Sequence, residues 1–211
     1  KIKPVYIAAH NNLGNTLQAL GQLESSVKYY QLALDVKPDF VPALNNLGNT
    51  FRELDQLETA VKYYQQALEI TPDSSDVLNG LGITLNAMGQ QEAAINYYKQ
   101  TLEIKPDFAE AHNNLGNSYK GLEQLDLAVK CYQRALEISP NYADAHNNLG
   151  ATLLALRQLD DSVQSCQRAL AINPECSGAL SNLGNAYQDL GLVDAALKSY
   201  QQALNIKPDD H

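Results

Sequence analysis

A Leu-Gly pair recurs at Leu13-Gly14, Leu47-Gly48, Leu81-Gly82, Leu115-Gly116, Leu149-Gly150 and Leu183-Gly184, a step of 34 residues each time. A proline keeps the same beat at Pro4, Pro38, Pro72, Pro106, Pro140, Pro174 and Pro208, so no insertion or deletion interrupts the period. A strict repeat of about 20 to 50 residues constrains the fold more than any other signal in a sequence. Each unit is one supersecondary element too small to bury its own apolar face, and a core forms only where neighbours stack. With the pair at positions 7 and 8 of the unit, six units run over residues 7–40, 41–74, 75–108, 109–142, 143–176 and 177–211. Residues 1–6 match the close of a unit, Ile2, Lys3, Pro4 and Tyr6 aligning with Ile104, Lys105, Pro106 and Phe108. They are expected to be the tail of an upstream repeat, which makes the chain a fragment of a longer array.

Inside each unit the apolar residues follow two helical stretches. Positions 3, 7, 10 and 14 (Ala111, Leu115, Ser118 and Leu122 in the fourth unit), with positions 4, 8 and 11, fall on one side of a helix; positions 2, 5, 6, 9, 12 and 13 fall on the other. Asp107 with Glu110, Asp73 with Asp76 and Asn141 with Asp144 have the form of capping boxes at its start. Gly21, Gly89 and Gly191 at position 15 suit the left-handed residue that ends it. A second helix carries Leu125, Ala128, Val129, Tyr132, Ala135, Leu136 and Ile138 on its apolar side and stops before the proline. Its outer face is expected to hold i,i+4 pairs: Glu24 with Lys28, Glu58 with Lys62, Asp126 with Lys130 and Asp194 with Lys198. Gly116 at position 8 and Ala128 at position 20 are small enough to let the two helices of a unit meet, and Ala135 does the same toward the next unit.

Composition narrows the function classes. A net charge of −9 argues against nucleic acid as a partner, because such binding needs clustered Lys and Arg. The chain shows no apolar run near 18 residues and no secretory signal, so no membrane insertion is expected. Three cysteines, Cys131, Cys166 and Cys176, are an odd and sparse set that fits a reducing compartment, and the cytoplasm is the expected location. His112 and His146 lie on the packing side of the first helix, so core roles are expected of them and no metal; Cys131 and Cys166 read as small core fillers. No catalytic constellation interrupts the period, and neither an enzyme activity nor a cofactor is expected.

Leu at position 7, Gly at 8, Leu or an aromatic at 11, Ala at 20, Tyr at 24, Ala at 27 and Pro at 32 together resemble the tetratricopeptide repeat, from Ile7 to Asp210. The resemblance implies an all-α fold, a right-handed superhelical solenoid of six 34-residue helix-turn-helix repeats with the first helices lining a concave side. The chain departs from that pattern at position 4, where the family's Trp is His10, Leu44, Leu78, His112, His146 or Leu180, and at Ser26, Ser162, Thr101 and Cys166. The carboxylate clamp of chaperone-binding members needs Lys or Arg at positions 2, 5 and 6, where this chain has Asn, Ser, Ala, Pro, Asp, Glu and Gly.

On the face opposite the packing side, position 6 reads Asn12, Asn46, Gly80, Asn114, Asn148 and Asn182, and position 9 adds Asn15, Asn49, Asn117 and Asn185. Asn is a poor helix former, so its repetition inside a helix asks for a reason. One reason is that an amide both donates and accepts, and pairs with the backbone of an extended peptide whatever its side chains; inheritance of the same surface residue by duplicated units is the other. The rows are similar to the asparagine ladder of O-linked N-acetylglucosamine transferases, as is the wording Ala111-His112-Asn113-Asn114-Leu115-Gly116. The expected function is therefore a protein–protein interaction scaffold that takes an extended peptide or protein segment along these rows, with Asn79 beside them and Ile83 as an apolar anchor where repeat 3 lacks the amides. Two alternatives stand beside it: the substrate-recruiting part of a larger enzyme such as a glycosyltransferase, and a self-assembling scaffold. Ala196, Leu197, Tyr200, Ala203 and Leu204 would form the uncovered stripe through which copies associate.

Overall fold

The computed structural model describes residues 4–206 and contains, among them, twelve α-helices and no strand. In chain order they are α1 (Pro4–Ala19), α2 (Leu23–Val36), α3 (Val41–Glu53), α4 (Leu57–Ile70), α5 (Ser75–Ala87), α6 (Gln91–Ile104), α7 (Ala109–Gly121), α8 (Leu125–Ile138), α9 (Ala143–Ala155), α10 (Leu159–Ile172), α11 (Ser177–Asp189) and α12 (Val193–Ile206). Two helices make each repeat, and the chain divides into two units, residues 1–106 with α1–α6 and residues 107–211 with α7–α12. In each unit the two helices of a repeat pack on one another, and the second helix packs on the first helix of the next repeat. Residues 4–6 belong to α1 and so extend the first repeat; Lys1–Lys3 of the expected upstream tail lie outside the described residues.

The turn between the two helices is the same in all six repeats, whatever residue stands there. At its first occurrence Gly21 has φ +72°, its N–H bonds Gln18 O at 2.9 Å and the Gln22 N–H bonds Leu17 O at 2.9 Å. This pair of bonds is the Schellman closure, which satisfies the last carbonyls of the first helix. Gly89 and Gly191 follow suit at φ +74° and +76°, but Asp55, Glu123 and Arg157 hold the same left-handed backbone at +57°, +58° and +63°. The second helices end one residue before an extended residue (Lys37, Thr71, Lys105, Ser139, Asn173) that the following proline restricts to that region.

Two expectations about the helix surfaces fail. The first helices α5, α7 and α9 start from Ser74, Phe108 and Tyr142, none of which makes a side-chain cap, so Asp73, Asp107 and Asn141 stand one residue too early for capping boxes. Where that position is aromatic its ring serves packing, as Phe40 does against the core around Tyr30 and Leu47. The four i,i+4 pairs do not close within ion-pair distance; ion pairs form instead at Lys37–Asp39, Arg134–Glu137 and Arg157–Asp189, all with exposed side chains.

In each unit the core sets tyrosines in glycine slots. Tyr30, Tyr64, Tyr98 and Tyr132 at position 24 are fully buried, among the alanines of positions 20 and 27. A Cβ added to Gly14, Gly48, Gly82, Gly116 or Gly184 would lie 2.4–2.6 Å from the ring of that repeat's own tyrosine. The glycine of the Leu-Gly pair is thus a slot for the phenol ring, a more specific role than letting backbones approach. In repeat 5 the slot holds Cys166, with its sulfur 2.5 Å from the same virtual Cβ of Gly150. There Ser162 Oγ donates to Gly150 O at 2.8 Å and ties the two helices together. The other departures are also satisfied: Ser26 Oγ donates to Leu23 O and Thr101 Oγ1 to Tyr97 O.

On α12, Ala196 and Ala203 are buried, contrary to the expected uncovered stripe, while Val193, Leu197 and Leu204 are 70%, 55% and 50% exposed. No helix among the described residues is long and apolar enough to cross a membrane.

Candidate functional site

First helices of successive repeats touch each other within each unit (α1 with α3, α3 with α5; α7 with α9, α9 with α11), whereas within a unit no two second helices do. The first helices therefore lie on the inner side of the curve in each unit, and their faces opposite the packing side line it. Positions 5, 6, 9, 12 and 13 make up this surface, and two hydrogen-bond systems organise it.

The first system runs between repeats. Asn46 Nδ2 donates to Asn11 Oδ1 (3.1 Å), Asn148 Nδ2 to Asn113 Oδ1 (3.1 Å) and Asn182 Nδ2 to Asn147 Oδ1 (2.9 Å). Position 6 of one repeat thus reaches back to position 5 of the preceding one. Much of the inner row is enclosed: Asn11, Asn79 and Asn113 are 7%, 5% and 4% exposed, so Asn79 belongs to the layer beneath the surface, while Asn45 and Asn147 are half-buried. The second system runs within repeats. Tyr30, Tyr64, Tyr132 and Tyr200 donate their hydroxyls to Asn15, Asn49, Asn117 and Asn185 Oδ1 at 2.7–2.9 Å. Asn15 Oδ1 also accepts from Asn46 Nδ2 at 2.8 Å, linking the two systems. Asparagine recurs here in good part because most of these amides are structural ties, which the sequence does not reveal. An amide has two N–H donors and a carbonyl with two lone pairs. Asn148 and Asn182 keep one N–H and the carbonyl for the groove, while Asn49, Asn117 and Asn185 keep both N–H groups. Asn12 is exposed, and Asn114 is half-buried in the same row.

Both systems are interrupted in places. Gly80 replaces the donor at position 6 of repeat 3, and Asn45 Oδ1, the acceptor it would serve, is buried without a partner. A Cβ on Gly80 would lie 2.9 Å from the Tyr64 ring, which occupies the vacated space. Half-buried Ile83 stands three residues further on, at the position where other repeats carry the tyrosine's acceptor. In repeat 5 the tyrosine and its acceptor are lost together, as Cys166 and Ala151, with Leu154 beside them.

Burial dominates the electrostatics. It pushes the Tyr30 phenol up to about 12, with Glu53 adding to the effect, and raises Tyr132 further against its bond with Thr152. Tyr64 is raised by burial, which the nearby Arg52 and Thr84 partly offset. The Cys166 thiol is pushed to about 11 by burial. Cys131 and Cys176 are half-buried, and all three cysteines are free thiols. Leu44, Leu78 and Leu180 at position 4 are buried as core residues, while half-buried His146 places Nε2 3.0 Å from Pro140 O. Among the described residues no three His, Cys, Asp or Glu side chains gather as metal ligands would.

The chain matches the tetratricopeptide repeat over residues 5–73 and 39–107, the TPR repeat over 116–157, and the tetratricopeptide repeat again over 143–176 and 178–210. It belongs to the tetratricopeptide repeat family. Solved structures agree on the fold. PilW, a type IV pilus biogenesis factor, is similar with a TM-score of 0.90 at 20% identity, covering 99% of this chain and 96% of its own. MamA is similar at 0.69 and 26% identity, over 77% and 95%. YrrB, described as a TPR protein with an unusual peptide-binding site, is similar at 0.66 and 23% identity, over 86% and 93%. No curated protein sequence matches the chain. Within the tetratricopeptide scaffold, then, the features that give this array's groove its character are its two amide systems and their breaks.

Proposed function

We propose that this tetratricopeptide array is a protein–protein interaction scaffold that holds an extended peptide or protein segment along its first helices. The observation that carries the reading is the state of the asparagines. Internal bonds fix their amides in place, yet Asn148, Asn182, Asn49, Asn117 and Asn185 retain donors or acceptors toward the groove. Preorganised amides at a regular spacing suit the one ligand feature that repeats regularly, the peptide backbone, and lose little side-chain entropy on binding. Asn12, Asn15, Asn46 and Asn114 continue the rows. YrrB, whose fold this chain shares, supports the reading in that a peptide site is compatible with such a scaffold.

The test takes peptides selected from a display library on the 211-residue chain. Asn114→Ala with Asn148→Ala should weaken them by about 1–3 kcal/mol, while Gln133→Ala with Gln167→Ala on the second helices should leave them unchanged. The opposite pattern would place the binding face on the second helices and overturn the reading. Binding is to be measured well below the melting temperature, because Asn148→Ala also leaves the Asn113 carbonyl unpaired.

Two further readings each rest on one observation. The wording Ala111–Gly116 favours substrate recruitment for a glycosyltransferase-like enzyme, which a catalytic domain encoded in the same gene would support. The exposed Val193, Leu197 and Leu204 favour association of copies through α12. Leu197→Lys with Leu204→Lys should then reduce the solution mass to that of a monomer.

A further inference from the structure

We propose that the step from α3 to α5 is a selectivity seat for a peptide carrying an apolar and an acidic side chain two residues apart. The inference rests on the peptide-binding reading above. Among the described residues, the two buried side-chain atoms without a hydrogen-bond partner are Asn45 Oδ1 and Arg52 Nε, and both belong to α3. They mark the place where the amide pattern of the groove is interrupted, by Gly80 and Ile83 on α5. Arg52 is the only Lys or Arg at the groove positions of α1, α3 and α5. Its charge acts on the Tyr64 phenol and lowers it against burial, which puts the guanidinium beside that side chain at this step. Glu53, the next residue of α3, accepts from Gln18 Nε2 at 2.7 Å and is not in the ion pairs Lys37–Asp39, Arg134–Glu137 or Arg157–Asp189. A held cation with N–H capacity left over calls for an acid, and its planar fork suits a carboxylate.

The spacing follows from the repeat register. Position 6 of one first helix stands opposite position 5 of the one before, so Ile83 faces the level of Gly48, four residues before Arg52. Four residues of helix are about 6 Å. Side chains i and i+2 of an extended chain point the same way and stand about 6.6 Å apart. One ligand side chain over Ile83 and a second at Arg52 therefore come from residues separated by one.

Isothermal titration with N-acetylated, C-amidated Ser/Gly heptapeptides bearing Leu and Glu two residues apart, in both orders, tests the seat. Controls carry Gln for Glu, or Ser for Leu. The Glu peptide of one order should bind at least about tenfold more tightly than its Gln control. Arg52→Gln, which places at position 12 the residue found there as Gln18 and Gln188, should erase that preference. Ile83→Asn, matching Asn15, Asn49, Asn117 and Asn185, should erase the preference for Leu over Ser. Equal binding of the Glu and Gln peptides, or a preference that survives Arg52→Gln, would overturn the seat. If binding ignores Arg52 and Ile83 but falls with Asn148→Ala, the groove reading stands and the seat does not. Failure of every peptide to bind the unaltered chain would overturn both.

Discussion

Repeats 2 and 5 are built on one plan and each lacks a different half of it. Repeat 2 keeps the tie within the repeat, Tyr64 to Asn49, but receives no amide from repeat 3, where Gly80 stands. Repeat 5 has lost the tyrosine and its acceptor together, yet keeps both ties to its neighbours, Asn148 to Asn113 and Asn182 to Asn147. The two hydrogen-bond systems are therefore separable. One fastens the second helix to the first, the other fastens one first helix to the next, and the array tolerates the loss of either at a single step.

The largest effect is expected at the ring slot. Tyr64→Ala should destabilise by about 3–5 kcal/mol, since it empties a slot that Gly48 leaves open and strips Asn49 of its donor. Cys166→Ala in repeat 5 should cost only about 1 kcal/mol, a single buried sulfur in a slot already tightened by Ser162. Urea unfolding midpoints decide; equal losses would mean the slot does not hold the repeat together.

The bonds between repeats predict a difference in sign. Asn148→Ala leaves the enclosed Asn113 carbonyl unpaired and should cost about 1–3 kcal/mol. Asn45→Ala removes a carbonyl that already lacks a partner and installs a better helix former, so it should be neutral or stabilising by a few tenths of a kcal/mol. Equal destabilisation in thermal melts would show that the ladder bonds contribute nothing of their own. The smallest effect is expected at the turns. Asp55→Gly relieves a left-handed non-glycine residue and should stabilise by roughly 0.5–1 kcal/mol. Arg157→Gly should gain less, because Arg157 also pairs with Asp189 across exposed surface.

These pairs also show what the sequence made legible. The period and the two helices per unit followed from the spacing of Leu-Gly, Pro and the apolar positions, whereas the starts of the first helices did not. The asparagine rows were visible too, but not their internal work. A helical projection places positions 5 and 6 side by side on one face, and only the neighbouring helix decides that position 5 is enclosed while position 6 bridges to it. The partnership of the position-24 tyrosine with the position-9 asparagine, as in Tyr64 with Asn49, left a trace in repeat 5, where Cys166 and Ala151 depart together. Ile83, in the same repeat as Tyr98, blurs that trace. The turns misled in the opposite way: glycine flagged three left-handed residues, while Asp55, Glu123 and Arg157 adopt the same backbone because two closing hydrogen bonds impose it. Capping boxes failed for a similar reason, since packing of residues such as Phe40 sets where the first helix begins.

The most direct test of the central claim maps a selected peptide onto the array through the side-chain NH2 resonances of asparagine and glutamine. Titration should shift Asn148, Asn182, Asn117 and Asn49 on the first helices and leave Gln133, Gln167 and Gln201 on the second helices unmoved. Shifts confined to those second-helix glutamines, with the asparagines silent, would contradict the account.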